Sequence, residues 1–194
     1  GGTLRNDRHP RAGGGICTSC NPCDQGSAGM ATYTMHALLT SLTLEDTPVR
    51  FDSPVGQPIS FTATYNQLEA NQPANFYYSN LGPKWDFNWL SYITDNPGSP
   101  GSDVSLYMNG GGTLQFHNFD PTTQSYAMEA MSQTRLVRLS ASSYQLQYPN
   151  GSRRKYSQSD GATGSTRRVL LTQMIDPFGN IVQYNYDSQL RITN

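Results

Sequence analysis

From residue 31 onward the chain is built of short apolar–polar alternations, separated by clusters of turn-forming residues. Ile59-Ser60-Phe61-Thr62-Ala63-Thr64-Tyr65 is the plainest case. An extended strand has a period of two, so Ile59, Phe61, Ala63 and Tyr65 fall on one face. Trp85-Asp86-Phe87-Asn88-Trp89 alternates again and is expected to run on to Tyr92 and Ile93, between turn signals at Gly82-Pro83 and Asp95-Asn96-Pro97-Gly98. Residues 104–108 and 113–117 flank Asn109-Gly110-Gly111-Gly112 and read as a hairpin. Residues 144–148 and 152–156, around Pro149-Asn150-Gly151, read as another. In residues 167–175, Val169, Leu171 and Ile175 share one face, and Leu170 and Met174 lie on the other. Apolar residues on both faces predict a strand covered from both sides.

Residues 32–38 are ambiguous. Met35, Leu38, Leu39 and Leu42 fit a helical spacing, but the threonines and Leu42-Thr43-Leu44 favour strands. Short strands with turns about every 8–12 residues predict an all-β fold. Sequential strands usually become neighbours, so the expected architecture is a meander of antiparallel hairpins, forming a curved or sandwich-like sheet. Three regions are expected. Residues 1–30, Gly-rich and holding all three cysteines, read as an extended N-terminal arm. Residues 31–135 read as a β-domain, and 136–194 as a further set of β-hairpins.

Composition sharpens this picture. Charged residues make up 14% of the 194, well below the roughly 25% of ordinary globular chains, and Gly, Tyr, Pro, Ser and Thr fill the gap. The net charge is −1, so there is no cationic surplus to neutralise phosphates, and nucleic acid is excluded as an expected partner. Arg153-Arg154-Lys155 with Arg167-Arg168 reads as a solvated strand face or hairpin rim. No run of 18 apolar residues occurs, so no membrane-spanning helix is expected. Gly1 opens the chain without an apolar leader core, which points to a removed signal peptide or a shortened chain.

The candidates for chemistry are few. Cys17, Cys20 and Cys23 form a CxxCxxC spacing. Zinc and iron–sulfur sites want four ligands, and nothing fixes His9 or His36 as the fourth. One disulfide plus a spare thiol, available to another subunit, is the preferred reading, and no cofactor is expected. No Gly-x-Ser-x-Gly elbow accompanies His9, His36 and His117. Glu45 and Asp46 are adjacent on a strand, point to opposite faces, and make a poor acid–base pair. No enzyme is expected. Trp85, Phe87 and Trp89 on one strand face would suit stacking on a sugar, although buried sheet faces show the same alternation. Asn150-Gly151-Ser152 is a glycosylation sequon on a turn.

The segment DPFGNIVQYNYDSQLRIT, residues 176–193, resembles one unit of the RHS or YD repeat, matching at Asp176, Gly179, Asn180, Tyr184, Tyr186, Asp187, Arg191, Ile192 and Thr193. Gly179 and Asn180 are expected to take left-handed turn positions. Tyr184 and Tyr186 are expected to stack on the next hairpin with their hydroxyls in water. Upstream, GQPISFTATYN, LGPKWDFNWLSYI and YQLQYPNGSRRKYS follow the order seen just before the repeats of many bacterial RHS proteins, so the resemblance covers residues 50–194. It implies a secreted or surface-displayed structural module that caps or nucleates a spiralling β-sheet shell. Its partners would be the rest of a parent protein or other copies of itself, and the arm could drive a filament. Glycan binding through the aromatic strand is the alternative.

Overall fold

The computed structural model describes residues 31–36, 40–52, 58–70, 81–108, 112–164 and 166–193. The Gly/Cys-rich segment 1–30, with Cys17, Cys20 and Cys23, lies outside them. Among the described residues there are twelve strands and no helix, so the chain is all-β, as the alternation predicts. In the first sheet, β1 (Thr32–His36), β2 (Ser41–Phe51), β3 (Ile59–Asn66) and β4 (Trp85–Phe87) follow one another as antiparallel neighbours. Residues 32–36 are therefore extended. Tyr33 pairs with Leu44 and Met35 with Leu42, which puts their side chains on one face; a helix would have wound them apart.

The first sheet is two-sided. Tyr33, Leu44, Tyr65 and Trp85 are successive cross-strand partners, as are Ala63 and Phe87, whereas Thr43, Glu45 and Thr64 lie on the opposite face. A register shift between Asp46 and Val49 lets Val49 pair with Phe61 and keeps the apolar face continuous. Glu45 and Asp46 point to opposite sides, as expected from their spacing.

The second sheet holds β5 (Tyr92–Asp95), β6 (Val104–Tyr107), β7 (Thr113–Phe116), β8 (Arg135–Ser140), β9 (Ser143–Gln147), β10 (Arg153–Ser159), β11 (Arg167–Ile175) and β12 (Ile181–Gln183). Its order is β7-β6-β5-β11-β10-β9-β8, with β12 also on β11, and every pairing is antiparallel. Both predicted hairpins are present, as β6–β7 and β9–β10. Hydrogen bonding joins β5–β7 to β8–β12 in one sheet, so it runs across the 135/136 boundary drawn from sequence.

Two expectations need correction. The alternation from Trp85 to Ile93 is not one strand. β4 ends at Phe87, because Asn88 takes over from the ladder: its Oδ1 accepts the Thr62 N–H at 3.0 Å and its Nδ2 donates to the Ser60 carbonyl at 2.6 Å. The chain turns there and enters the other sheet at Tyr92. Nor is the strand order purely sequential. β5 pairs with β11, joining Val169 to Ile93 and Leu170 to Tyr92. Both strands are apolar on two sides, and with β4 left in the other sheet the edge of β5 not taken by β6 is filled by β11.

β11 shows the predicted double burial. Val169 and Leu171 face a core with Ile93, Leu106, Leu136, Leu146 and Tyr156, while Leu170 joins Phe87, Leu90, Tyr92 and Tyr107 on the opposite side. The first core lies inside the second sheet, which curls into a half-barrel. Residues 124–127 bridge its open side: Arg138 donates its N–H to the Gln124 carbonyl and Tyr126 to that of Leu136, while Ala127 donates to His117 beyond β7.

The curl brings Asp95 of β5 against Tyr144 of β9, although β11 and β10 lie between them in the sheet. Asp95 Oδ2 accepts the Tyr144 hydroxyl at 2.6 Å and Arg167 Nη2 at 2.5 Å, and Oδ1 accepts Arg167 Nε at 3.0 Å. Arg167 Nη2 also donates to the Ala141 carbonyl in the β8–β9 turn. Asp95, Tyr144 and Arg167 are all buried. Arg167 is thus no part of a solvated basic rim, and Asp95 is more than a turn residue. A buried pair of this kind does not guarantee net stability, but removing one partner strands the other charge in the interior. Asp95→Asn should cost about 3–5 kcal/mol in urea unfolding. Asp52→Asn, breaking the exposed Arg50–Asp52 pair, should cost less than about 1 kcal/mol.

Candidate functional site

The segment that carries the repeat resemblance is held by one loop geometry used twice. In the first loop Asp176 donates its N–H to the Asn180 carbonyl at 3.0 Å, and Gly179 donates to the Asp176 carbonyl at 3.1 Å. In the second, Asp187 donates to Arg191 and Leu190 to Asp187, both at 3.0 Å. The fourth residue is left-handed in each, Gly179 at φ 91° and Leu190 at φ 60°. This is the three-residue hairpin loop in which a turn is followed by one αL residue. The loop at Tyr148–Ser152 closes the same way, with Gly151 at φ 87°. Asn180 is not a left-handed residue, contrary to expectation. It serves through its side chain, whose Nδ2 donates to Asp176 Oδ2 at 2.6 Å.

The aspartates are the organising groups. Asp176 Oδ1 accepts the N–H of Phe178 at 2.9 Å and of Asn180 at 2.8 Å. Asp187 Oδ1 accepts those of Gln189 at 2.8 Å and Arg191 at 3.0 Å, and its Oδ2 takes Arg191 Nε at 2.8 Å. Donation from Asn180 holds the Asp176 carboxyl below the usual carboxylate range, and donation from Arg191 does the same for Asp187.

Between the loops, β12 lies along the C-terminal half of β11, pairing Val182 with Met174. Tyr184 is buried beside Trp89, with ring centroids 5.6 Å apart, and its hydroxyl donates to Met174 Sδ at 3.4 Å. Burial pushes that hydroxyl up to about 12. The Tyr186 hydroxyl donates to the Leu171 carbonyl. Neither hydroxyl is left to water, because β11 is close enough to supply acceptors. Ile192 packs on both cores and bridges to Tyr186, while Thr193 donates its N–H to the Asn185 carbonyl.

Beside this segment a cleft of about 570 Å³ opens between the two sheets. Phe51, Ile59 and Asn88 line it from the first sheet and its exit, and Tyr148, Arg154, Met174, Val182 and Tyr184 from the second. Phe51 and Ile181 are more than half exposed at its mouth. Arg154 sits in the wall with its guanidinium carbon 5.5 Å from the Tyr148 ring centroid.

The remaining candidates do not converge. Trp85 packs against Tyr65 with tilted rings 5.5 Å apart and is half-buried; Phe87 is buried against Phe61; Trp89 leaves the strand and packs on Phe61 and Tyr184. They form no shared exposed platform, because the chain turns between Phe87 and Trp89. Asn150 is exposed at its turn, with Oδ1 accepting the Ser152 hydroxyl at 2.6 Å. His117 Nδ1 lies 2.6 Å from Asp103 Oδ2 on the surface. Among the described residues no three His, Cys, Asp or Glu side chains are grouped to hold a metal. Sequence reading missed Arg154 and the Asp95–Arg167–Tyr144 network. For Arg167 the available signal was its place at the start of the apolar strand β11 in a chain with few charges; β10, a polar strand, offered no such signal for Arg154.

No family model and no curated protein matches the chain.

Depressed carboxyl pKa values mean that the loop contacts contribute fully above the unfolded aspartate value, about 3.9, and are lost as the pH falls through the lower folded values. Hydrogen exchange should find the N–H groups of Phe178, Asn180, Gln189 and Arg191 protected at pH 6 and losing protection below about pH 4, ahead of those of β11.

Proposed function

We propose that this chain is a non-enzymatic structural module of the RHS/YD-repeat type, extracellular or displayed at a cell surface. It caps or nucleates a β-sheet shell, or assembles with other copies through residues 1–30. The observation that carries this reading is the repeated loop. Asp176–Asn180 and Asp187–Arg191 share one backbone closure, lie on either side of β12, and are joined to β11 by backbone pairs, the buried Tyr184 and the half-buried Tyr186. A turn–strand–turn unit of this kind can be added repeatedly to a growing ribbon, since each unit buries its tyrosines on its neighbour.

The first sheet supports assembly. Among the described residues β1 pairs on one edge, with β2. It contains no Lys, Pro or bulge, the usual devices that stop edge-to-edge addition. Tyr33 and Met35 on this strand are exposed, as are Val49 and Phe51 on β2. Light scattering over a range of concentrations should show association by the full chain that is lost when residues 1–30 are removed. Concentration-independent monomers in both cases would rule out assembly through the arm.

A glycan-binding or adhesive module is the second reading. It is favoured by the half-exposed Trp85–Tyr65 pair and by Trp89 at the cleft. In a glycan array, Trp85→Ala and Trp89→Ala should abolish any binding while the far-ultraviolet spectrum stays unchanged. Loss of the folded spectrum instead assigns both residues to packing.

A further inference from the structure

Two arginines are drawn into the second sheet, and their surroundings differ. Arg167 is neutralised by Asp95 through two hydrogen bonds and by the Ala141 carbonyl. Arg154, in the cleft wall, belongs to none of the ion pairs found among the described residues, which are Arg50–Asp52, His117–Asp103, Arg167–Asp95 and Arg191–Asp187. The groups facing its guanidinium are tyrosines: Tyr148 beneath it, with Tyr156 and Tyr184 close by. A guanidinium withdrawn from water gains most from a carboxylate that meets its planar fork. Here the protein supplies π faces and hydroxyls in its place.

The cleft around Arg154 has an apolar wall beside a polar rim that includes Ser60, Asn88, Asn150, Ser152 and Asn180. Ile59, Trp89, Met174, Ile175, Ile181 and Val182 all line it. Its volume, about 570 Å³, falls within the range of small-molecule sites, which combine apolar walls with a few fixed polar groups. Arg153 stands at the same cleft and is exposed. Asp176 lies there too, with its carboxylate occupied by Phe178 and Asn180. The electrostatic pattern is therefore one inner cation, one outer cation and one anion. That pattern suits a ligand with a single negative charge and opposes a polyanionic chain, which would be brought against Asp176.

We propose that this cleft binds an amphipathic organic acid, whose carboxylate pairs with Arg154 and whose apolar body lies against Trp89, Met174, Ile181 and Val182. The site stands whether or not the chain is a repeat-type structural module, since it uses neither the arm nor the sheet edges. Occupation would supply the carboxylate that Arg154 lacks and cover apolar surface that the two sheets leave open between them.

The test uses the full chain with 2-naphthylacetate as probe and the uncharged 2-naphthylacetamide as its matched control, followed by fluorescence titration and calorimetry. The acid should bind saturably at one site, about tenfold tighter than the amide, the margin of one charge-assisted contact. Arg154→Gln should erase that margin. Ile181→Glu, altered at the exposed mouth, should weaken binding of the acid by repulsion and leave the melting temperature within a few degrees. If Arg154→Gln does not fold, the acid–amide margin on the unaltered chain and the Ile181→Glu result decide the matter. Absence of saturable binding, equal binding of acid and amide, an acid preference that survives Arg154→Gln, or acid binding undiminished by Ile181→Glu overturns the proposal. Tighter binding of oligogalacturonate than of naphthylacetate overturns it in favour of a glycan site.

Discussion

β11 needs cover on both faces at once, and the rest of the structure follows from how that need is met. Val169 and Leu171 require a core on one side and Leu170 requires one on the other. Bending the second sheet around the first set provides the half-barrel interior. Placing the first sheet, with Phe61 and Phe87, near the second set supplies the other layer. The edges of β11 are filled in the same way. β10 runs along one; β5 takes the first half of the other and β12 the second half. The Leu171 N–H donates to the Ser91 carbonyl and the Tyr184 N–H to that of Thr172, closing the gap between β5 and β12. A buried strand cannot leave such groups without partners.

Curling a sheet brings polar groups inward along with apolar ones, and this chain handles them in two ways. At the β5 end, Asp95, Arg167 and Tyr144 satisfy one another, and the Ala141 carbonyl takes a remaining donor. Ser91 does similar work, donating to the Tyr107 carbonyl and meeting the Tyr156 hydroxyl at 3.1 Å. At the other end Arg154 lines the cleft, with tyrosines and not a carboxylate against its guanidinium. The contrast follows from topology. Asp95 reaches Tyr144 because the sheet curls there; among the described residues the carboxylate at Arg154's cleft, Asp176, is engaged by Phe178 and Asn180.

The hairpin loops show a different economy. A charged side chain at the first position gathers the amide hydrogens that a tight turn leaves without partners, so the loop is ordered by its own residues rather than by packing. That explains how Phe178 can sit at the tip of Asp176–Asn180 with 89% of its surface exposed while the turn keeps its form. It also explains why the same closure works with Gly at one αL position and Leu at the other. Leu190 is half-buried against the second core, and that packing offsets its unfavourable backbone.

The sequence by itself determined the period-two alternation, and with it the all-β class, the two hairpins at residues 104–117 and 144–156, and the double-sided burial of β11. Each depends on residues close together in the chain: a strand's faces are fixed by its pleat, and a hairpin's register by its loop. Turn positions were legible at Gly179 and at the aspartates for the same reason. Tertiary structure alone decided what lies far apart in sequence. It broke the run from Trp85 to Ile93 between two sheets, because Asn88 replaces the ladder of β3. It placed β5 beside β11 and drew Arg167 from an apparent basic rim into the interior. It also gave the hydroxyls of Tyr184 and Tyr186 acceptors on β11 and left Arg154 lining a cleft. An arginine or tyrosine has the same local pattern whether its polar end meets water or a partner, and only the fold brings the partner there.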